Sequence, residues 1–453
     1  MLSDSDPLYG LNVAYDLGVS VREWPELMPQ VFKALDERRI VDVGLSQQLI
    51  DNAHGRMKII QSTMGYSLAA LERRHLKRDR SEQKSAPNAW RLRYRELADV
   101  PLHLWPEEAV DYAIEDSVGA LLIGDKQWNS PDRRYMENSP TQAGAAFALH
   151  LLMCWGVMTD SLKIDVLLRV AKKKYWELSG DLADKGLVRD DTVAREMQWT
   201  RDTQAAKEHM LKVCRLHGLP IKITATGYKK YVKEMEDRGV PRDKWYTHPP
   251  ETVLTPEEQF KYVSLDEEAC RDTGDETLIA YSLRSQLHSV INTHVPDLLN
   301  GQHTPIQPRY TTIVESGRTS CSKSRSDDGK RTRSPTNGFQ FQNPKRSFLW
   351  IPPGTSKPVP LFPPGVGIRE CFVARPGKLF ADNDFSGLEL CTGAQACMDK
   401  VGYSRLGEAL NAGIDPHLDF GATLMGISYE EARARRHDKV VKDYRQRAKV
   451  MNF

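Results

Sequence analysis

Apolar residues recur at helical spacing from Thr141 to about Leu299, and this block reads as all-α. Its clearest stripe, Ile279, Leu283, Leu287 and Val290/Ile291, predicts a helix with one buried face. Ahead of it, Ser264-Leu-Asp-Glu267 has the spacing of a capping box. The pattern differs on either side. The first ~125 residues mix short apolar segments, such as Leu11–Tyr15 and Ala120–Ile123, with helical ones, which predicts an α/β unit. A turn-rich stretch, Trp128-Asn-Ser-Pro-Asp-Arg-Arg, marks its end. After Gly301 the chain turns to Pro, Gly, Ser and basic residues through Pro364, and loops are expected there. Ile368–Ala374 and Lys378–Asp384 read as short strands joined in a hairpin around Arg375-Pro-Gly377. From Gly387 the pattern is helical again. Ser428-Tyr-Glu-Glu431 is a second capping-box signal, opening a basic helix that reaches Phe453 with no stop signal. The expectation is of a chain that breaks inside a domain.

At 453 residues the chain has room for about three domains. Its composition, 40% hydrophobic and 27% charged, excludes global disorder, a collagen and a coiled-coil rod. The seven cysteines are scattered and never spaced C-x-x-C, so neither a disulfide framework nor a zinc site is read and a reducing cytosol is expected. The longest nearly apolar run, Gly144 to Met158, is shorter than the ~18 residues of a spanning helix, and the start lacks a secretory pattern. A soluble, cytoplasmic protein with no membrane partner is therefore expected. Net charge is only +2, yet basic residues concentrate locally. Seven Lys or Arg lie between Ser322 and Ser347, and a second run extends from Arg433 to Lys449. Such concentrations suit phosphate binding, though each also suits a solvated surface.

The most informative segment is Leu379-Phe-Ala-Asp-Asn-Asp-Phe-Ser-Gly-Leu-Glu-Leu390. A carboxylate at a strand end followed by small residues suits a divalent-metal site that aligns a triphosphate, but equally a turn in which Asp caps a helix. Its neighbours tip the balance. Asp384-Phe385-Ser386-Gly387-Leu388-Glu389-Leu390 resembles motif A of family A DNA polymerases, the bacterial polymerase I-like group that includes many phage replicases. Arg445, Lys449 and Phe453 match that family's motif B, and their i, i+4, i+8 spacing puts all three on one helical face. Ser316-Gly-Arg318-Thr-Ser320, Gln340-Phe-Gln342-Asn343-Pro344, Arg369 and Gly413-Ile-Asp-Pro-His417 resemble further landmarks of the family, in the right order.

The amino-terminal block resembles the family's 3′–5′ exonuclease domain. Asn12-Val-Ala-Tyr-Asp16 is similar to its second motif and Tyr112-Ala-Ile-Glu-Asp116 to its third, with Trp90-Arg-x-Arg-Tyr94 and Trp105-Pro between them. The resemblance implies a multidomain α/β and α+β fold. A ribonuclease H-like exonuclease domain at 1–127 would be followed by a helical linker and thumb at 128–300. An antiparallel-sheet palm would occupy 301–400, and the start of helical fingers 401–453.

The same resemblance implies template-directed DNA synthesis from deoxynucleoside triphosphates on primer–template DNA, with two Mg2+ ions (or Mn2+) and proofreading. Asp384 would hold metal, as would Asp16 and Asp116 at the exonuclease site, where Tyr112 would orient the attacking water. Phe385, Glu389, His417, Arg445, Lys449 and Phe453 would bind the incoming nucleotide, with Arg445 and Lys449 also catalytic. Glu389 would select the deoxyribose, and Phe453 in place of tyrosine would disfavour dideoxynucleotides. Arg318, Lys323, Arg325, Gln342, Asn343, Arg369 and Asn12 would contact DNA.

Two departures stand out. The second palm carboxylate of motif C does not follow motif B, and the first exonuclease motif, Asp-x-Glu, does not precede Asn12 at the family's distance. His437-Asp438 and Asp4-Ser-Asp6 are misplaced for these roles. The chain alone is therefore expected to be inert, needing a separate C-terminal polymerase fragment that carries motif C. The alternatives are a stand-alone 3′–5′ exonuclease remnant and a catalytically inactive primer–template binding module.

Overall fold

Leu8–Gly10 and Ile40–Asp42 pair as parallel strands, with Gly10 opposite Asp42. The chain passes between them through the helices Val13–Glu23 and Met28–Asp36, which is the helical crossover that parallel pairing requires. The computed structural model describes residues 5–190, 199–241, 255–322, 339–350, 352, 355, 357–385 and 387–451. Over these the chain is mainly helical, with five small two-stranded sheets among the described residues. It divides into two compact units, Met1–Gly377 and Lys378–Phe453.

In the first unit the amino-terminal sheet is α/β as expected, but not through the expected segments. Most of Leu11–Tyr15 opens the Val13–Glu23 helix, and Ala120–Ile123 lies inside the long helix Glu107–Trp128. Their apolar residues are faces of helices, since Val13, Ala14, Ala120 and Ile123 are buried against neighbouring elements. The helix Ser139–Trp155 returns to this block, where Ala143 and Phe147 pack with Val13, Leu17 and Val31.

The middle of the chain is built on Ser161–Asp184 packed against Glu276–Ser289. Most of the predicted stripe is buried: Leu283, Leu287, Val290 and Ile291 lie with Leu167, Ala171, Tyr175 and Leu178, while Ile279 is only half-buried. The helix continues through a widened π turn, Val290–His294, into Val295–Leu299. That turn contains Asn292, the i−4 residue of Pro296, with whose carbonyl the proline ring would clash in a regular helix. Two expectations need correction. The block is not purely helical, because Val188–Asp190 and Trp199–Arg201 form an antiparallel pair. Asp266 rather than Ser264 caps Glu267–Asp272, accepting the Ala269 amide at 2.8 Å while Ser264 Oγ donates to the Asp266 carboxylate at 2.7 Å.

Arg309–Thr311 and Ser320–Ser322 form a hairpin, and Phe372–Val373 pairs antiparallel with Met158–Thr159. The strand expected over Lys378–Asp384 is absent; those residues run without regular structure, and Leu379 is 95% exposed. Pro376 interrupts the chain, Gly377 turns it at φ 71°, and no strand among the described residues pairs with Lys378–Asp384. The antiparallel sheet expected to carry Asp384 is therefore not found among the described residues.

The second unit is helical: Leu388–Val401, Arg405–Asn411, Pro416–Met425, Tyr429–Ala434 and Lys439–Met451. Leu418, Ala422, Ala432 and Val441 make its core. Ser428 caps its helix as predicted, accepting the Glu431 amide at 3.1 Å. The basic run is two helices and not one, because Asp438 accepts the Val440 amide at 2.9 Å and so starts a new helix after Arg435. No helix of the described residues is long and apolar enough to cross a membrane.

Candidate functional site

Asn12 adopts a left-handed conformation, φ 57°, that ends the first strand and opens the helix bearing Asp16. The start of this helix is held from the second strand. Asp42 Oδ2 accepts the Val13 amide at 3.0 Å while Oδ1 accepts Gly44 and Leu45 at 2.8 and 3.0 Å, so one carboxylate caps two helices. Burial raises the Asp42 carboxyl despite these amides. Asp16 is exposed as a residue, yet partial desolvation of its carboxyl, with the nearby Asp42, raises it too.

Opposite, Glu107–Trp128 presents Tyr112 and Asp116 one turn apart. The Trp90–Tyr94 and Trp105 segments buttress this turn. Tyr94 lies 6.2 Å from Trp90, 5.8 Å from Trp105 and 6.3 Å from Tyr112, ring to ring, and its hydroxyl donates to the Ala109 carbonyl at 2.8 Å. Tyr112 is buried, and burial together with the Asp116 carboxylate pushes its hydroxyl up. Asp16, Tyr112 and Asp116 line one cleft of about 780 Å³, shared with Arg73, Lys84 and Arg91. Thus two segments from opposite ends of the block, singled out separately in the sequence, meet at one surface.

Asp116 does not stand alone there. Arg80 Nη1 donates to its Oδ1 at 2.9 Å and Lys84 Nζ at 2.7 Å. Asp42, Arg80 and Lys84 are not singled out by the sequence reading, whereas Arg91 belongs to its Trp90–Tyr94 segment. Asp42 carries a signal, an Asp after Ile40-Val41 and before an apolar helix; Arg80 and Lys84 lie in a polar stretch with none.

Further along the first unit, two more of the singled-out segments come together. Gln342 Nε2 donates to the Thr319 carbonyl at 3.0 Å, beside Arg318, and Gln342 Oε1 accepts the Cys321 amide at 2.8 Å. Arg369 Nε donates to the Pro344 carbonyl at 2.9 Å, next to Asn343. Arg318, Gln342, Asn343 and Arg369 are all exposed. Lys323 and Arg325 lie outside the described residues.

In the second unit, Asp415 caps Pro416–Met425 by accepting the His417 and Leu418 amides, and its other oxygen accepts Arg445 Nε at 2.8 Å. Burial alone would raise the Asp415 carboxyl, but Arg445 and these amides hold it below its ordinary range. His417 is buried beside them. Burial lowers its imidazole, and Arg445 and Lys449 lower it further against the pull of Asp415. Lys449 is exposed one turn beyond Arg445, and Phe453 lies outside the described residues. Asp384, Phe385 and Glu389 are exposed, Glu389 in the first turn of Leu388–Val401 behind a left-handed Gly387. No hydrogen bond or ion pair among the described residues joins Asp384 to the His417–Arg445 cluster.

A two-metal site needs several carboxylates around each ion. The donor sets here do not fit one. The cleft offers two carboxylates, one already in contact with two cations, and Asp384 stands exposed in coil. No group of three or more His, Cys, Asp or Glu among the described residues is placed to hold an ion.

No family model matches this chain, and no curated protein matches it. Among solved structures, the chain is similar to the polymerase domain of Pol1 from M. smegmatis, in complex with DNA primer-template and dNTP. The TM-score is 0.40 and the identity 16%, over 91% of this chain and 53% of that one, so this chain spans about half the length of that structure.

Proposed function

We propose that this chain is the DNA-handling part of a family A-type DNA polymerase, joining an exonuclease-like block to part of a nucleotide-binding fingers region. The observation that carries this reading is the meeting of Asp16, Tyr112 and Asp116 in one cleft with three basic side chains at its walls. The pairing of Asp415 with Arg445 beside His417 supports it, because both partners lie in segments that resemble the fingers landmarks. On this reading Arg445 and Lys449 take the triphosphate of a deoxynucleotide, Glu389 tests its sugar, and Phe453 stacks on its base. Arg318, Gln342, Asn343 and Arg369 track primer or template phosphates together with Lys323 and Arg325. Mg2+, or Mn2+ in its place, is the ion that the family resemblance implies. The ligands present here do not make its site, so no nucleotidyl-transfer or hydrolytic step is assigned to this chain's own residues.

The test supplies the chain with a second polypeptide carrying a motif C-type palm carboxylate and assays primer extension with Mg2+. Extension is expected only with both pieces, and Asp384→Ala should abolish it. Extension unaffected by Asp384→Ala, or none from the pair, refutes the polymerase reading. A second reading, a binding module without catalysis, is favoured by the cations held on Asp116, and it predicts primer–template binding with no response to deoxynucleoside triphosphates.

A further inference from the structure

Asp116 is the carboxylate that the exonuclease reading gives to a metal, and two cations already neutralise it. Arg80 Nη1 and Lys84 Nζ lie 2.9 and 2.7 Å from its Oδ1. Neither is a loose surface group, since the Arg80 side chain is 7% exposed and that of Lys84 15%. Arg80 is anchored from behind by Glu72 at 3.2 Å and Glu115 at 2.8 Å. Glu72 is fully buried and packs closely against Gly119, where an added Cβ would lie 2.6 Å from Glu72 Oε1. Arg91 Nε donates to the Lys84 carbonyl at 2.6 Å, which ties the cleft wall to the same short helix. Packing thus sets these cations in place. A divalent ion approaching Asp116 would be repelled by both cations, and displacing either would leave a largely buried positive charge short of a partner, which is costly.

We propose that Arg80 and Lys84 stand where a divalent cation would stand at Asp116, and that the cleft holds the phosphates of single-stranded DNA without a metal. This rests on the reading of the cleft as a nucleic-acid site. The lining agrees with it: Arg73, Lys84 and Arg91 outnumber Asp16 and Asp116, so the cleft is cationic before any ion enters. Tyr9, half-buried, adds an aromatic ring to the lining, of the kind on which a base stacks. With Asp116 balanced by Arg80 and Lys84, the exposed Arg73 and Arg91 are the lining cations left to face the incoming phosphates, and loss of Lys84 would set the Asp116 charge against them.

The test uses the whole chain and a short fluorescein-labelled oligodeoxythymidylate, read by fluorescence anisotropy in EDTA and then in Mg2+, with Mn2+ binding followed by electron paramagnetic resonance. Affinity in EDTA and in Mg2+ should agree within about twofold at matched ionic strength, and the spectrum of free Mn2+ should not diminish on adding protein. Lys84→Met should weaken the oligonucleotide by about tenfold and flatten its salt dependence. Arg91→Ala, at an exposed rim position, should weaken it in the same direction and guards against a Lys84 variant that misfolds. Binding that appears only with Mg2+ or Mn2+ overturns the proposal and leaves the cleft as a metal-dependent DNA site. Binding in EDTA that both substitutions leave unchanged also overturns it, placing the DNA elsewhere. No binding in either condition brings down the reading of the cleft as well.

Discussion

His417 shows how a side chain named from sequence acquires its properties from neighbours that the sequence does not place. Burial, Arg445 and Lys449 lower its imidazole. Because the folded value lies below the ordinary ~6.5, the unfolded chain takes up this proton first. The stability carried by neutral His417 is therefore complete above that ordinary value and is lost as pH falls below it. His417→Gln should remove this dependence. Urea denaturation of the second unit at pH ~7 and ~5 should show a smaller acid loss in the variant, and equal losses would refute the assignment. At this scale the sequence is informative where residue types recur in a fixed local pattern, as for Asp16, Tyr112 and Asp116, which converge. It is silent on Asp42, Arg80 and Lys84, because what they touch is set by long-range packing. Asp42 reaches Val13 across a helical crossover, and Arg80 meets Asp116 from a polar segment with no periodicity of its own.

Elements are legible in proportion to their length. The Glu276–Ser289 stripe declares itself because a helix of several turns repeats its apolar face often enough to be distinctive. Strands of two or three residues offer no alternation to read. The pair at Leu8–Gly10 and Ile40–Asp42 therefore leaves no pattern, while Lys378–Asp384, longer and with Leu379-Phe-Ala381 in a row, mimics a strand. One helix contact ties element to site. Gly421, on Pro416–Met425, packs against the backbone of Lys439–Met451, where an added Cβ would lie 3.1 Å from the Arg445 amide nitrogen. Neither backbone can yield as a flexible side chain would. Gly421→Ala should therefore push the two helices apart, destabilising this unit by about 1–3 kcal/mol and loosening the Asp415–Arg445 ion pair. The Asp415 carboxyl should move up towards its ordinary value, which a carboxyl-carbon NMR titration reads. An unmoved Asp415 would show that the helices accommodate the methyl without disturbing Arg445.

At the scale of the whole molecule, the division after Gly377 has an energetic consequence. The first unit has an extended core around Leu167, Tyr175 and Leu287, whereas the second has the small cluster of Leu418, Ala422, Ala432 and Val441. The second unit also begins with apolar side chains open to water: Leu379 95%, Phe385 79% and Leu388 50% exposed. Exposed apolar surface of this kind withholds the burial that stabilises a fold and favours self-association. Two calorimetric transitions are expected, the second unit melting first and its loss followed by aggregation. A substitution confined to the first unit separates them. Asp51 is fully buried between Arg74, in a bidentate pair at 2.6 and 2.7 Å, and Arg56 at 2.9 Å. Burial alone would raise its carboxyl, but these arginines hold it below the ordinary range. Its contribution is thus present above that ordinary value and is lost as pH falls through the lowered one. Asp51→Asn leaves two guanidiniums without their counter-charge and should cost about 3 kcal/mol. It should lower only the upper transition at neutral pH, with the difference from wild type shrinking in acid. A single transition that shifts as a whole would mean that the two units unfold as one cooperative body, and the small core at Leu418 would then draw its stability from the rest of the chain.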